Sequence, residues 1–194
     1  LANRNIFKPL FLTDRGVLEH GILKKITDVL PSGVTFAVFG EIPENPTIKG
    51  IERALEIYKE HECDGIVALG GGSVLDSGKA LRVVTTQGGD VIDYLKDPDR
   101  IGTNVAPYIT IPTTAGTGAE ITFGGGIHPE TNAPAMSIRS PHVKPDLAIC
   151  DPELTISLPP HLTAATGMDA VTHCVEGYLS INANAPAEAI ALDG

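Results

Sequence analysis

Cys63-Asp64-Gly65-Ile66-Val67-Ala68-Leu69-Gly70-Gly71-Gly72-Ser73-Val74-Leu75-Asp76 is the stretch that decides the fold class of this chain. A short apolar run rich in β-formers stops at three glycines and a serine, and a helical pattern starts at Val74-Leu75. The reading is a buried strand, a tight turn and a helix N-terminus. Glycine has no Cβ, so the backbone there can turn sharply and come close to a ligand. The open N–H groups of a helix start, at the positive end of the helix dipole, suit a phosphate or pyrophosphate. Four residues alone fit a plain glycine-rich turn equally well. Their neighbours weigh the balance.

On either side, strand and helix patterns alternate. Apolar residues from Gly16 to Leu30 recur at helical spacing, Val34 to Phe39 reads as a strand, and Pro43 to Pro46 as a loop. Thr47 caps a helix through Tyr58; the Ile66–Leu69 strand and a helix from about Val74 to Thr86 follow. Gly88-Gly89-Asp90 ends that helix, and Tyr108–Ile111 is a further strand stopped by Pro112. Strands joined through helices predict a parallel sheet with helices on both faces. Ligands of such sheets sit beyond the carboxyl ends of the strands. The loops after Phe39, Leu69 and Ile111 are therefore expected to meet at one crevice.

The third loop, Pro112-Thr113-Thr114-Ala115-Gly116-Thr117-Gly118-Ala119-Glu120, offers three hydroxyls and two glycines, a neutral polar cradle for a cofactor. The bland alternative is a polar turn leading into a hairpin with strands at Ile121–Ile127 and Ala135–Ile138. After Asp151-Pro152 the texture changes. Leu162 opens an alanine-rich helical region that runs to the end. Within it Asp169 and His173 stand four apart, on one helix face. A carboxylate and an imidazole can share Fe²⁺, Zn²⁺ or Mn²⁺, and they can equally form a helix-stabilising hydrogen bond. Two ligands are too few for a complete site.

Composition sets the bounds. With 194 residues, 42% hydrophobic and 20% charged, the chain can bury a core, enough for one domain and part of another. A net charge of −10 argues against nucleic acid or an anionic membrane as partner, so a phosphate-bearing ligand would rely on local backbone donors. No stretch has the length of a membrane span, and no signal-peptide pattern opens the chain. The three cysteines are widely spaced and odd in number, which fits reduced thiols in a cytoplasmic setting.

GGGS from Gly70, IPTTAGTGAE from Ile111, DPELTISLPPHLTAATGMDAVTHCVEGYLS from Asp151 and the earlier PENPT from Pro43 occur in one order. In that order they resemble the iron-dependent (group III) alcohol dehydrogenase family, collinearly from about Phe11 onward. The resemblance implies a Rossmann-like α/β dinucleotide-binding domain, residues 1–158, followed by the first helices of an all-helical metal-binding domain, residues 159–194. It implies hydride transfer between an alcohol or aldehyde and NAD or NADP, with Fe²⁺, or Zn²⁺, as Lewis acid, in a homo-oligomer, most simply a dimer. By position, Gly71, Gly72 and Ser73 match pyrophosphate contacts and Asp76 a carboxylate near the nicotinamide carboxamide. Thr113, Thr114 and Thr117 match further cofactor contacts, and Asp169 and His173 match the first two metal ligands. Gly40 stands where family members selective for NAD commonly carry aspartate, which implies tolerance of NADP; Glu41 follows directly, and Lys49 is a remote phosphate partner.

Three departures qualify the match. The family's remaining metal ligands, two histidines, come from helices further along than Gly194, so the 194 residues alone are expected to hold metal poorly and to be inactive. His128, His142 and His161 match no ligand position and read as surface or loop histidines. Ala135 replaces a lysine that reaches the cofactor in many members, and Phe123-Gly124-Gly125-Gly126 replaces bulkier residues, which points to a larger pocket. Two other readings stay open: an NAD- and zinc-dependent lyase of the dehydroquinate-synthase type, and a nucleotide-binding fragment without activity.

Overall fold

Pro9-Leu10-Phe11-Leu12, all buried, form β1, the strand from which the sheet grows in both directions. In the computed structural model, which describes residue 1 and residues 4–194, β1 pairs in parallel with β2 (Ala37–Phe39) on one side and β3 (Gly65–Gly70) on the other. Residues 2 and 3 of the expected 1–158 unit lie outside the described part. β4 (Tyr108–Pro112) pairs in parallel with β3. An antiparallel hairpin follows, β5 (Gly124–Ile127) with β6 (Met136–Arg139), before the two-residue β7 (Leu147–Ala148) closes the far edge against β4. The five-strand order is β2-β1-β3-β4-β7. Chain direction across the sheet reverses between β1 and β3, the switch point at which open α/β sheets hold their ligands.

Alternation along each strand feeds two cores. Leu10, Leu12, Ile66, Ala68 and Tyr108 face one way, against α3 (Ile48–Glu60) and α4 (Gly72–Gln87). Phe11, Val67, Leu69, Ile109 and Ile111 face the other, against α1 (Arg15–Glu19), α2 (Ile22–Thr27) and Leu154. Both faces of every central strand are covered, which is why the strands read as continuous apolar runs. Gly78 lets α4 lie directly on β4: a Cβ there would stand 2.5 Å from the Tyr108 hydroxyl, which donates to Leu75 O at 2.6 Å. Arg82, buried on the same helix, donates to Ala106 O at 3.0 Å and to Asp146 at 3.0 Å, lies over the Tyr108 ring, and also reaches Lys144 O.

Several sequence expectations are corrected here. The single helix over 16–30 is two, broken at Gly21, which takes a left-handed φ of 68°. The strand expected at Val34–Phe39 is confined to Ala37–Phe39, and the hairpin strands are shorter than 121–127 and 135–138 suggest. α4 begins two residues earlier than its apolar pattern, because Gly72 and Ser73 form its first turn. α5 (Val91–Lys96) and β1 have no counterpart among the sequence expectations.

Beyond Leu154 burial falls away. A 3-10 turn over Pro152–Thr155 leads to α6 (Pro160–Leu179) and, after a break at residues 180–184, α7 (Ala185–Asp193). Neither helix contains a buried residue, and Met168, Leu179, Ile190 and Leu192 are all more than 60% exposed. Among the described residues no helix is long and apolar enough to cross a membrane.

Candidate functional site

At the carboxyl ends of β1 and β3 a single threonine ties the strands together. The Thr13 hydroxyl donates to Leu69 O at 2.7 Å, Thr13 N donates to Phe39 O at 2.9 Å, and Ile42 N donates back to Thr13 O at 3.3 Å. Three strand ends are thus fixed within hydrogen-bond reach. Beside them opens a cavity of about 830 Å³, within the size range of cofactor sites.

Its walls come from four strand-end loops. Asp14, Arg15 and Gly16 follow β1; Glu41 to Glu44 follow β2; Gly71 and Ser73 follow β3; Thr113 and Thr114 follow β4. Leu154 and the 157–162 segment close the side nearest α6. The three loops expected to meet do so, joined by the β1 loop, which the sequence reading missed. The signal was present: Pro9–Leu12 is a short apolar run followed by Thr-Asp, a strand and an N-cap. Asp14 is that cap, its carboxylate accepting from Val17 N at 2.9 Å.

No side chain among the described residues caps α4 at Gly71, whereas Asp14, Thr47 and Asn184 cap α1, α3 and α7; α2, α5 and α6 likewise start without a side-chain cap. Ser73 turns its hydroxyl to Glu44 O, which ties the glycine loop to the β2 loop. The open N–H groups of the first α4 turn therefore have a cavity in front of them and a fixed frame behind. A Cβ at Gly71 would meet only Thr114, Cγ2 at 3.5 Å and Oγ1 at 3.6 Å, both ordinary contacts. At Gly72 it would stand 2.6 Å from Thr117 Cγ2.

The expected cofactor residues divide accordingly. Gly71, Ser73, Thr113 and Thr114 line the cavity. Gly72 and Thr117 pack on one another behind the loop, and Thr117 accepts from Ala119 N at 3.2 Å. Gly40 sits next to the lining residue Glu41, and the place of its missing Cβ is filled by Leu18. Asp76 lies off the cavity wall. Its Oδ1 accepts from the wholly buried Lys79 ammonium at 2.9 Å and its Oδ2 from Gly126 N at 3.0 Å. Burial pushes the Asp76 carboxyl up and the Lys79 ammonium down, and each charge partly offsets the other's shift. Lys79 also donates to Thr122 Oγ1 and Gly124 O, so this pair clamps the β5–β6 hairpin onto α4. The glycines of 124–126 serve that clamp: a Cβ at Gly125 would lie 2.7 Å from the Asp76 carboxylate. Gly125 thus fits a close approach, and residues 123–126 are not among those that line the cavity.

Asp169 and His173 lie one turn apart on α6, Oδ1 to Nε2 at 3.6 Å, both half-exposed. Among the described residues no third histidine, cysteine or carboxylate joins them, so the pair offers one oxygen and one nitrogen donor, fewer than a metal site needs. His128 is held by Ala133 O at 2.7 Å in the hairpin loop. Arg53 is the residue that the sequence reading overlooked altogether. It reaches the cavity from α3, pairs with Glu41 and lies over the Phe39 ring, 5.6 Å from its centroid. An arginine twelve positions along carries no local signal of this; only the packing of α3 on β2 brings it there.

Known proteins share both the sequence and this fold. The chain is 43% identical over 192 residues to 4-hydroxybutyrate dehydrogenase of Cupriavidus necator, covering 97% of the chain and 50% of that protein. It is 40% identical over 184 residues to alcohol dehydrogenase 4 of Schizosaccharomyces pombe, covering 94% and 43%. The crystal structure of sulfoacetaldehyde reductase from Bifidobacterium kashiwanohense in complex with NAD+ superposes with a TM-score of 0.90 at 29% identity, covering 98% of this chain and 50% of that one. The chain thus spans about half the length of these relatives. The model of the iron-containing alcohol dehydrogenases matches residues 1–152. By that match and by its relatives, the chain belongs to the iron-containing alcohol dehydrogenase family.

Proposed function

We propose that the protein containing this chain is an NAD(P)-dependent, metal-dependent oxidoreductase acting on a small alcohol or aldehyde. The observation that carries this reading is the uncapped N-terminus of α4, opening on a cavity at the β1/β3 switch point. A pyrophosphate there meets the N–H groups of the Gly71–Ser73 turn, while Thr113 and Thr114 offer hydroxyls from the adjacent loop. The overall acidity of the chain makes such local donors the main source of attraction for an anionic ligand. Thr117 shapes the loop from behind through Gly72, and Asp76 with Lys79 fixes the hairpin beside it.

When bound, a divalent ion supplies Lewis-acid polarisation and the dinucleotide supplies the redox couple. Asp169 and His173 fit the oxygen and nitrogen part of the ion's shell, and the rest belongs to parts of the protein outside these 194 residues. The exposed apolar faces of α6 and α7 support the same division: a nucleotide-binding unit to about residue 158, then the opening helices of a helical unit. A cytoplasmic homodimer is the setting we assign, with Cys63, Cys150 and Cys174 all free.

Incubation of the whole protein with Fe²⁺ or Zn²⁺, NAD(P)⁺ and a series of short alcohols tests the reading. Net formation of NAD(P)H, lost in Asp169→Ala and His173→Ala while dinucleotide binding persists, is the expected result. Turnover of a phosphorylated substrate without net NAD(P)H would instead identify the lyase chemistry.

A further inference from the structure

The structure assigns to Arg53 a role in choosing between the two dinucleotides: we propose that its guanidinium receives the 2′-phosphate of NADP, and that Glu41 restrains it. The inference rests on the dinucleotide reading above. With the pyrophosphate at the α4 start, the adenosine half of the cofactor runs toward β2, two strands from β3. At about 4.8 Å per strand that is about 10 Å across the sheet. The charged side chains on the cavity wall there are Glu41 and Glu44 of the β2 loop and Arg53 of α3, and Arg53 is the one cation among them.

Three features suit Arg53 to a phosphate. Its planar fork of donors matches phosphate oxygens in pairs, as a lysine ammonium does not. The Phe39 ring beneath it fixes its direction. It is half-exposed, and its charge is engaged by one oxygen of one carboxylate, Glu41 Oε2, so it can exchange partners without leaving a buried charge behind. Glu41 has the opposite effect: held by Arg53, its carboxylate can accept the ribose hydroxyls of NAD and repels a 2′-phosphate. Gly40, the position expected to discriminate, presents no side chain, and Leu18 occupies the space that one would take. Selection therefore passes from position 40 to the Glu41–Arg53 pair. Arg15, the other arginine at the cavity, comes from the β1 loop, on the glycine-loop side of β2 in strand order.

Fluorescence titration of the whole protein with NADH and with NADPH tests this. Arg53→Gln is expected to weaken NADPH at least ~10-fold, the size of a lost charge-assisted hydrogen bond, and to change NADH by less than about threefold. Arg53→Lys should fall between the two, because it keeps the charge and loses the fork. Glu41→Gln is expected to tighten NADPH. Equal effects of Arg53→Gln on both cofactors, or none on either, would overturn the inference while leaving the dinucleotide reading intact. If the unaltered protein binds neither cofactor, both fall together.

Discussion

The Thr13 hydroxyl donates to the Leu69 carbonyl at 2.7 Å, across the β1/β3 boundary where the order of strand addition reverses. This bond is buried, and it sets the spacing of the β1 and β3 ends on which the cavity depends. Thr13→Val removes the donor and leaves the Leu69 carbonyl without it. The expected cost is about 1–3 kcal/mol, read as a lower urea midpoint, with a looser dinucleotide site as its functional counterpart.

Gly72→Val is expected to fail by a different route from any cavity mutation. Its Cβ would stand 2.6 Å from Thr117 Cγ2, so the strain falls inside the protein. Overpacking of this kind costs about 1–3 kcal/mol. Thr117→Ala in the same chain should recover part of it, and a denaturation cycle over the four proteins measures the coupling.

Lys79 is wholly buried and its charge meets the Asp76 carboxylate. Lys79→Met strands that carboxylate, and breaking a buried pair from one side costs about 3–5 kcal/mol. Without the ammonium, the Asp76 carboxyl, already raised by burial, rises further. A raised acid contributes most below its unfolded value and loses that contribution as pH climbs through the folded one. The Lys79→Met protein should therefore be relatively more stable in mild acid than at neutral pH. Lys79→Met with Asp76→Asn should regain most of the loss at neutral pH.

Alkaline pH tests the burial of two phenols, Tyr58 on α3 and Tyr108 between β4 and α4. Burial pushes the Tyr58 phenol up to about 12 and the fully buried Tyr108 phenol well above its ordinary value of 10.0. Both contributions are complete below pH 10, where neither state ionises. They are lost as pH rises from 10 toward 12, because only the unfolded chain releases the protons. Denaturation midpoints should fall steeply over that interval, and Tyr58→Phe should flatten part of the slope.

Gly40→Asp probes the position that the sequence singled out. Its Cβ would meet Leu18 Cδ1 at 2.2 Å, so the half-exposed leucine has to rotate away. A shift of selectivity toward NAD of about 1–3 kcal/mol is expected only once Leu18 has yielded. Comparing kcat/KM for the two cofactors in Gly40→Asp and in Gly40→Asp with Leu18→Ala checks this.

The central strands, the glycine turn and the helix after it were legible because each is a local pattern. Ile66–Leu69 is an apolar run, and the glycines at 70–72 mark the change from strand to helix. Arg53 was not legible, since its partner Glu41 lies in another element; Asp76 and Lys79 stand at the i,i+3 spacing of any helix pair, and nothing local announces that they are buried against Thr122, Gly124 and Gly126 of the hairpin. Gly21 was missed for the opposite reason: the apolar spacing of 16–30 continues straight through a residue whose left-handed backbone ends the helix. β1 fell below notice at four residues, although it is the strand on which the order of the sheet turns. Asp76 was legible as important, but its contacts with Lys79 and Gly126 N were not, because a carboxylate reads the same in a sequence whatever it faces.

The most direct test of the account is dinucleotide affinity in Gly71→Val. Gly71 lies on the cavity wall with φ −79° and ψ −176°, a conformation open to any residue, and its Cβ would make only an ordinary contact with Thr114. The valine methyls would thus occupy ligand space at little cost to the fold, within about 1 kcal/mol of the parent. Titration of the whole protein with NADH should show saturable binding in the parent and about a hundredfold loss or more in Gly71→Val, a difference of about 2.7 kcal/mol. Equal affinity in the two proteins would place the pyrophosphate elsewhere and contradict the account.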